Sequence, residues 1–363
     1  MYKPLRDVAF FFLLVAHGLQ VLACAICAPA DGQNTFLYQL YAADAVVLAT
    51  VQPQGAGYVV LAQVKGPVPA GPIGAVQWVF SPAPVAPAAP VVLLYSAAAG
   101  SWRALGTLGH QRAAWLRRMV AMRPVSVAAE TDWPARLLTF IGDLEDVEPL
   151  VARAAYEEVS VAPYPAMRSL QPRLVRERIL RWLDDPALAA RRPLYLLLAG
   201  IAGGAGGADA AADLRVRAER AVKDASAPAL SAALAACVEL EGPSGVAWIE
   251  QEFFSRPGRD EFQVQAAVLA LGVHGSDGVR VPRERVVAAY TRLASGNPAM
   301  AGFAASELAG WDRWELGPTY AQILKSGQPL VFASRYAMVF YLLRSPRADA
   351  RAAIEALRAA KAL

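Results

Sequence analysis

Residues 234–242 read LAACVELEG, an alanine- and leucine-rich segment that runs into a glycine. Three other segments share this composition and this ending: LYLLLAG at 194–200, AVLALGVHG at 267–275 and AASELAG at 304–310. The final glycines, at 200, 242, 275 and 310, are separated by 42, 33 and 35 residues. Glycine is common at the left-handed position that ends a helix, and a period in the thirties to forties is typical of solenoids built from helix pairs. The sequence therefore predicts an all-α solenoid over 131–363, in which each of these glycines ends a helix.

A different pattern precedes the helices. Short apolar runs rich in Val, Leu, Trp or Tyr and bounded by Gly or Pro predict five strands, at 44–51, 58–65, 73–80, 91–96 and 101–105. A short amphipathic helix is expected before them at 36–43, and an extended proline-rich loop at 81–90. The predicted fold class is α+β multidomain: a small β-barrel or sandwich over 30–108, a connecting helix and linker over 109–130, and the solenoid.

The start of the chain has the features of a secretory signal peptide. Lys3 and Arg6 precede an apolar run over 8–16, and small residues surround position 24. The stretch 8–23 contains Gly, His and Gln and is shorter than the roughly 20 apolar residues of a spanning helix. We therefore expect a cleaved signal over 1–23 and an extracytoplasmic location, in the periplasm or cell envelope.

Cys24 and Cys27 form a CxxC pair just after this signal. Three processing outcomes exclude one another: lipidation of Cys24 at a lipobox-like VLAC, cleavage after Ala25, or cleavage after Ala23 that leaves Cys24 unmodified. The second outcome removes Cys24, and lipidation consumes its thiol. Only the third leaves Cys24 and Cys27 free to form a redox-active or structural disulfide.

Composition and motifs indicate no catalytic, cofactor or metal residue. The net charge of +4 is too small and too interspersed to predict a nucleic-acid partner. The Gly-rich stretch 200–207 lacks the spacing of a dinucleotide-binding motif and is expected to be a helix terminus and loop. His110 and His274 belong to no Cys/His cluster, and we expect a surface or helix-capping role for His274.

Aromatic residues give one candidate binding surface. Trp311, Arg313 and Trp314 follow the glycine at 310, and Trp and Arg are enriched in binding hot spots. The alternative is that these residues pack between repeats. Four further residues lie on helical apolar patterns and are expected in the core: Trp248, Tyr290, Tyr336 and, as a buried thiol, Cys237.

Several segments together carry a family resemblance: DLEDVEPLVARAAYEE at 143–158, APY at 162–164, RPLY at 192–195 and the strand ADAVVLATV at 43–51. With the cysteine-bearing N-terminus, the chain resembles HEAT-like secreted bacterial proteins of uncharacterised function. Its front part is also similar to the netrin-like OB barrel. The resemblance implies a HEAT-like solenoid behind an OB-like β-domain, and it implies no catalytic residue.

We therefore expect a non-enzymatic extracytoplasmic protein-interaction or scaffold protein with a protein or peptide partner in the cell envelope. No nucleic-acid partner is expected, and no membrane contact except through a lipid anchor at Cys24. The alternative is a thiol- or metal-handling envelope accessory protein that uses Cys24 and Cys27.

Overall fold

The computed structural model of the chain describes residues 35–52, 57–80, 89–128, 130–203 and 207–360. The predictions for the signal peptide, for Cys24 and Cys27, and for most of the proline-rich loop lie outside the described residues. The described residues form two compact units, one up to Ala166 and one from Met167 onward. None of their helices is long and apolar enough to cross a membrane.

The first unit contains a small five-stranded sheet preceded by helix α1 (Phe36–Ala42). The strands are β1 (Ala45–Val51), β2 (Tyr58–Lys65), β3 (Gln77–Trp78), β4 (Val91–Ser96) and β5 (Ser101–Thr107). Their order is β2-β1-β4-β5-β3, and every pairing is antiparallel except the parallel pairing of β3 with β5. The central strands β1 and β4 are buried on both faces, which explains their continuous apolar sequences. The sheet predicted at the N-terminal end is confirmed.

The third strand is shorter than the predicted 73–80. Only Gln77–Trp78 pairs as a strand, and Ile73 forms a single bridge with Tyr58. Gly74 lies between the bridge and the strand. A glycine weakens the interior of a strand because it has no side chain to pack and loses more backbone entropy on folding.

Helices fill the rest of the first unit: α2 (Ala113–Ala121), α3 (Trp133–Phe140), α4 (Pro149–Ser160) and the start of α5 (Tyr164–Arg168). Helix α4 packs closely against strand β5 of the sheet. A Cβ atom added at Gly106 of β5 would lie only 2.9 Å from Leu150 Cδ1 of α4. Helix α4 also contacts α1, since the buried Glu157 carboxylate accepts the Phe36 backbone N–H at 2.6 Å. The residues from 131 to 166, which the sequence assigned to the solenoid, are therefore grouped with the sheet.

The described residues of the second unit form helices and no strand. After α5 its helices are α6 (Arg176–Asp184), α7 (Arg192–Gly203), α8 (Ala208–Lys223), α9 (Ala227–Glu241), α10 (Pro243–Ile249), α11 (Glu261–Asp277), α12 (Arg283–Gly296), α13 (Ala305–Gly310), α14 (Gly317–Lys325), α15 (Phe332–Arg344) and α16 (Ala348–Ala359). Helix α9 packs between α7 and α11, and each of these contacts the helix that follows it in the chain. This nearest-neighbour packing is solenoid-like.

The recurring glycines have two different roles. Gly242 ends α9 with φ +58°, as predicted, and Gly310 is the last residue of α13. The prediction is wrong for Gly200 and Gly275, which lie inside α7 and α11. A Cβ at Gly200 would lie 2.8 Å from Ala236 Cα, and one at Gly275 would lie 2.4 Å from the Trp311 ring. These two glycines allow neighbouring elements to approach closely.

Candidate functional site

The described part of the helical unit contains a cleft of about 650 Å³, a size that suits a small ligand or a few residues of a peptide. Its walls come from the end of α8, the segment that follows α10 and the start of α11. We call it the Trp248 cleft. Its lining residues are Ala218, Glu219, Val222, Lys223, Trp248, Glu252, Phe253, Arg256, Pro257, Gly258, Arg259 and Gln263.

One wall of the Trp248 cleft is an unusual turn of helix. Helix α10 continues directly into a π-helical turn over Glu250–Ser255. Such turns are rare, and they occur frequently at functional sites. The buried Glu250 carboxylate accepts hydrogen bonds from Arg285 at 2.6 and 2.8 Å and from Arg292 at 2.6 Å. These charge-assisted bonds hold the turn against α12.

Aromatic rings and guanidinium groups alternate beside the cleft. The ring of Trp248 meets Phe253 edge-on at 5.9 Å between centroids. Arg215 lies over the Trp248 ring at 4.8 Å, and Arg259 lies over the Phe253 ring at 4.4 Å. Arg259 also donates through Nε to the Glu252 carbonyl at 2.7 Å. These contacts fix the aromatic wall before any ligand arrives, which lowers the entropic cost of binding.

Charged groups of both signs line the cleft. Arg256 pairs with Glu252 at 2.7 Å but is 62% exposed, so its guanidinium can reach a ligand as well. Lys223 and Glu219 are exposed at the end of α8. None of the twelve lining residues, all within the described ranges, is a Ser, Thr, Cys, His or Tyr. The arrangement can bind an apolar group and orient its polar neighbours, and it offers no side-chain nucleophile of those types.

A second, shallower cavity of about 450 Å³ lies in the first unit. Its lining includes Arg136, which donates to the Glu158 carboxylate at 2.5 Å and to the Arg123 carbonyl at 3.0 Å. Burial raises the pKa of Glu158. Asp132, another lining residue, caps α3 through the Ala135 N–H. The carboxylates of Asp132 and Glu158 and two nitrogens of Arg136 are thus engaged within their own unit, whereas Arg136 Nη2 is buried with no hydrogen-bond partner among the described residues.

His274 is completely buried, so the predicted surface or capping role is wrong. Its Nε2 lies 2.8 Å from the Ala235 carbonyl, which assigns the proton to Nε2 because that nitrogen must donate. The unprotonated Nδ1 then accepts from Arg168 Nη2 at 3.3 Å. Arg168 also binds Glu239 and Asp277. Burial lowers the pKa of His274 to about 4 and keeps the ring neutral.

Cys237 is a buried core thiol, as predicted. Burial raises its pKa to about 12, so the reactive thiolate is not populated near neutral pH. Across the described residues no group of three or more His, Cys, Asp or Glu side chains could hold a metal ion. Any thiol chemistry of this chain would therefore have to involve Cys24 and Cys27, which lie outside the described residues.

The three candidate binding residues Trp311, Arg313 and Trp314 each contact residues of their own unit. Trp311 stacks on Tyr290 at 6.0 Å with an interplanar angle of 11°. Trp314 packs against Tyr341 at 5.0 Å. Arg313 pairs with Glu315 at 2.6 Å. These contacts match the packing interpretation, and binding of a partner by Trp311, Arg313 and Trp314 stays a prediction.

Sequence reasoning missed most residues of the Trp248 cleft. Trp248 was expected in the core and instead is half-buried in the cleft wall, whereas Tyr290 is buried as expected. The signal that could have pointed to the cleft is RPGR at 256–259, a Pro-Gly turn between two arginines that begins one residue after the aromatic pair Phe253-Phe254. Comparison with known proteins gives no match: no family model fits the chain, and no curated protein or solved structure is significantly similar to it.

Proposed function

We propose that this chain is a non-enzymatic protein-interaction module that acts outside the cytoplasm and binds a peptide segment of its partner in the Trp248 cleft. The observation that carries the proposal is the cleft itself. It combines a fixed aromatic wall, exposed charges of both signs and a volume of about 650 Å³. Aromatic and arginine side chains are enriched among the residues that dominate binding energy.

The charge arrangement favours a peptide over a simple ion or a hydrocarbon. Three cationic and two acidic side chains line the cleft, so a ligand gains most if it presents both polar backbone groups and an apolar side chain. Bound segments of proteins have this mixed chemistry. The apolar side chain would lie against Trp248 and Phe253, and the backbone would reach Lys223 and Arg256.

The finer architecture belongs to the same proposal. The strand order β2-β1-β4-β5-β3, the parallel β3–β5 pair and the Tyr58–Ile73 bridge support an OB-like, partly closed barrel. Stacking of α7, α9 and α11 supports a HEAT-like solenoid. The signal-like first 23 residues support an extracytoplasmic location.

Photocrosslinking in the native host tests the proposal. A photoreactive amino acid replaces Val222, which lines the cleft, and in a matched control it replaces Val216, which is 58% exposed on the same helix. We expect a discrete adduct with a partner protein at position 222, several-fold more intense than at 216. Equal adducts at the two positions, or none at 222 in cells that express the protein normally, would refute the cleft as the binding site.

A further inference from the structure

Helix α15 is apolar on both of its faces. Ser334, Met338, Tyr341 and Leu342 are buried against the rest of the unit, where α15 packs on α14, α16 and the 3-10 turn Pro298–Ala304. The opposite face exposes Phe332 by 74%, Tyr336 by 52%, Phe340 by 38% and Leu343 by 51%. A helix that is hydrophobic all round is normally covered all round.

The exposed residues form one continuous stripe, which we call the α15 stripe. Their spacing of four, four and three places them within about 80° of the helix circumference. Phe332 and Tyr336 touch each other, with ring centroids 4.6 Å apart. Single exposed hydrophobic residues are ordinary on a protein surface, but a contiguous aromatic patch marks an interaction site.

Charge identifies what covers the stripe. Arg335 and Arg344 lie on its two sides by helical position, and α15 carries no acidic residue. From Lys325 to the end of α16 at Ala359 the chain has six basic and only two acidic side chains, and one of these two, Asp349, is paired with Arg347 at 2.9 Å. The occupant must therefore be apolar in its centre and negatively charged around it.

We propose that the α15 stripe docks on the surface of an anionic lipid bilayer. In this mode Phe332, Tyr336, Phe340 and Leu343 enter the boundary between headgroups and acyl chains, while Arg344 beside them lies at the level of the lipid phosphates. An amphipathic helix with aromatic and leucine residues on one side and basic residues beside them binds membranes in this way, and each basic residue near an anionic surface adds to the attraction.

The two other kinds of occupant fit less well. A second copy of the chain would bring together two α15 helices that are both basic and contain no acidic residue, and like charges repel. An acidic partner protein would have to supply both an apolar groove for the four side chains of the stripe and the matching charges. A bilayer provides the negative charge and adapts its shape to the protruding side chains.

The test uses the full chain with a polarity-sensitive fluorescent amino acid in place of Tyr336. The control carries the same residue in place of Val279, which is 72% exposed elsewhere in the helical unit. Vesicles are either pure phosphatidylcholine or phosphatidylcholine with 30% phosphatidylglycerol. Because the readout is local to each position, attachment of the chain through its N-terminal residues does not imitate it.

We expect a blue shift at position 336 with the anionic vesicles, weaker with neutral vesicles and at high salt, and none at 279. The double variant Phe332→Ser with Phe340→Ser should lower the apparent vesicle affinity measured at 336 by about tenfold or more. Its circular dichroism should stay unchanged because both side chains are exposed.

Four results would overturn the proposal. The first is an unshifted spectrum at 336 with anionic vesicles. The second is a shift that is equal at 279 or unaffected by the double variant. The third is a concentration-dependent dimer that the double variant abolishes, which would assign the stripe to a second copy. Capture of an acidic protein through the stripe by a chain that ignores vesicles would also reject the bilayer.

Discussion

Acidification is expected to destabilise the helical unit through His274. The imidazole is fully buried, it donates to the Ala235 carbonyl, and it lies beside the Arg168 guanidinium. Burial lowers the pKa of His274 from 6.5 to about 4. Between pH 6.5 and pH 4 the His274 ring is mostly protonated in the unfolded chain and mostly neutral in the folded chain. The stabilising contribution of neutral His274 is therefore fully present above pH 6.5 and is lost as the pH falls toward 4.

The size of the effect follows from this difference in pKa. One pKa unit corresponds to about 1.4 kcal/mol, so the loss is about 2 kcal/mol at pH 5 and approaches about 3 kcal/mol at pH 4. Three glutamates act in the opposite direction, because desolvation raises the pKa of the buried Glu157 and Glu158 and of the half-buried Glu307 in the folded state. The wild-type pH profile alone would mix these contributions.

The variant His274→Gln separates them. Glutamine can still donate to the Ala235 carbonyl and accept from Arg168, but it does not titrate. Urea unfolding followed by circular dichroism, at pH 7.5, 6 and 5 for both proteins, gives the difference in unfolding free energy at each pH. We expect this difference to shift by about 2 kcal/mol against the wild type between pH 7.5 and pH 5.

A pH-independent difference between the two proteins would refute the reasoning. An NMR titration of the His274 ring with a midpoint at or above 6.5 would do the same, because the buried ring would then be protonated as easily as a free one. A large destabilisation of His274→Gln at pH 7.5 alone would show only that the glutamine packs poorly, and the change with pH would still decide the matter.

Three further substitutions, the first with a matched control, test the packing. Gly200→Ala should cost about 1–3 kcal/mol in thermal or urea unfolding because its Cβ meets the Ala236 backbone, whereas Gly296→Ala, a helical glycine with open space around it, should be neutral or slightly stabilising; similar effects at both would contradict the close approach. Ala225→Gly should stabilise by about 0.5–1 kcal/mol, since Ala225 has φ +51° after α8, and a lower melting temperature would contradict this. Glu250→Gln should cost about 2 kcal/mol and reduce crosslinking from the Trp248 cleft, because the amide removes the negative charge and replaces one of the two acceptor oxygens with an NH2 group that cannot accept from arginine. An unchanged unfolding midpoint would show that the carboxylate does not hold the turn.

Local sequence was enough to predict the strands, the first helix and the helical class of the rest of the chain. Four of the five strands follow their apolar runs closely, and the short first helix ends within one residue of its predicted end. These elements are readable because burial of a whole strand or of one helix face imposes a composition and a period on consecutive residues. The predicted change from strands to helices near residue 110 is also confirmed.

Long-range packing decided the points where the sequence was misread. Gly200 and Gly275 follow apolar segments of the kind that end in a helix stop. Each instead lies against a neighbouring element, Ala236 and Trp311 respectively, whose position cannot be predicted from the segment that contains the glycine. From its position near the end of a helix, His274 was expected to be a surface cation. Its ring is instead held in the interior by the Ala235 carbonyl of α9 and by Arg168 of α5. A contact with a residue that is distant in sequence does not alter the hydrophobic periodicity of the segment, so the segment's own sequence does not reveal it.

The candidate sites depend on the tertiary structure in the same way. Trp248, Phe253 and Lys223 form one cleft because a π-helical turn, fixed by arginines from α12, faces the end of α8. Tyr336 was expected in the core because its helix is apolar. It is exposed because α15 is apolar on two faces and the neighbouring helices cover only one of them. The sequence by itself determined where the strands lie, that the chain after them is helical, and that these elements would bury apolar faces. Only the packing of those segments determined which apolar faces stay exposed, because exposure depends on what each face meets.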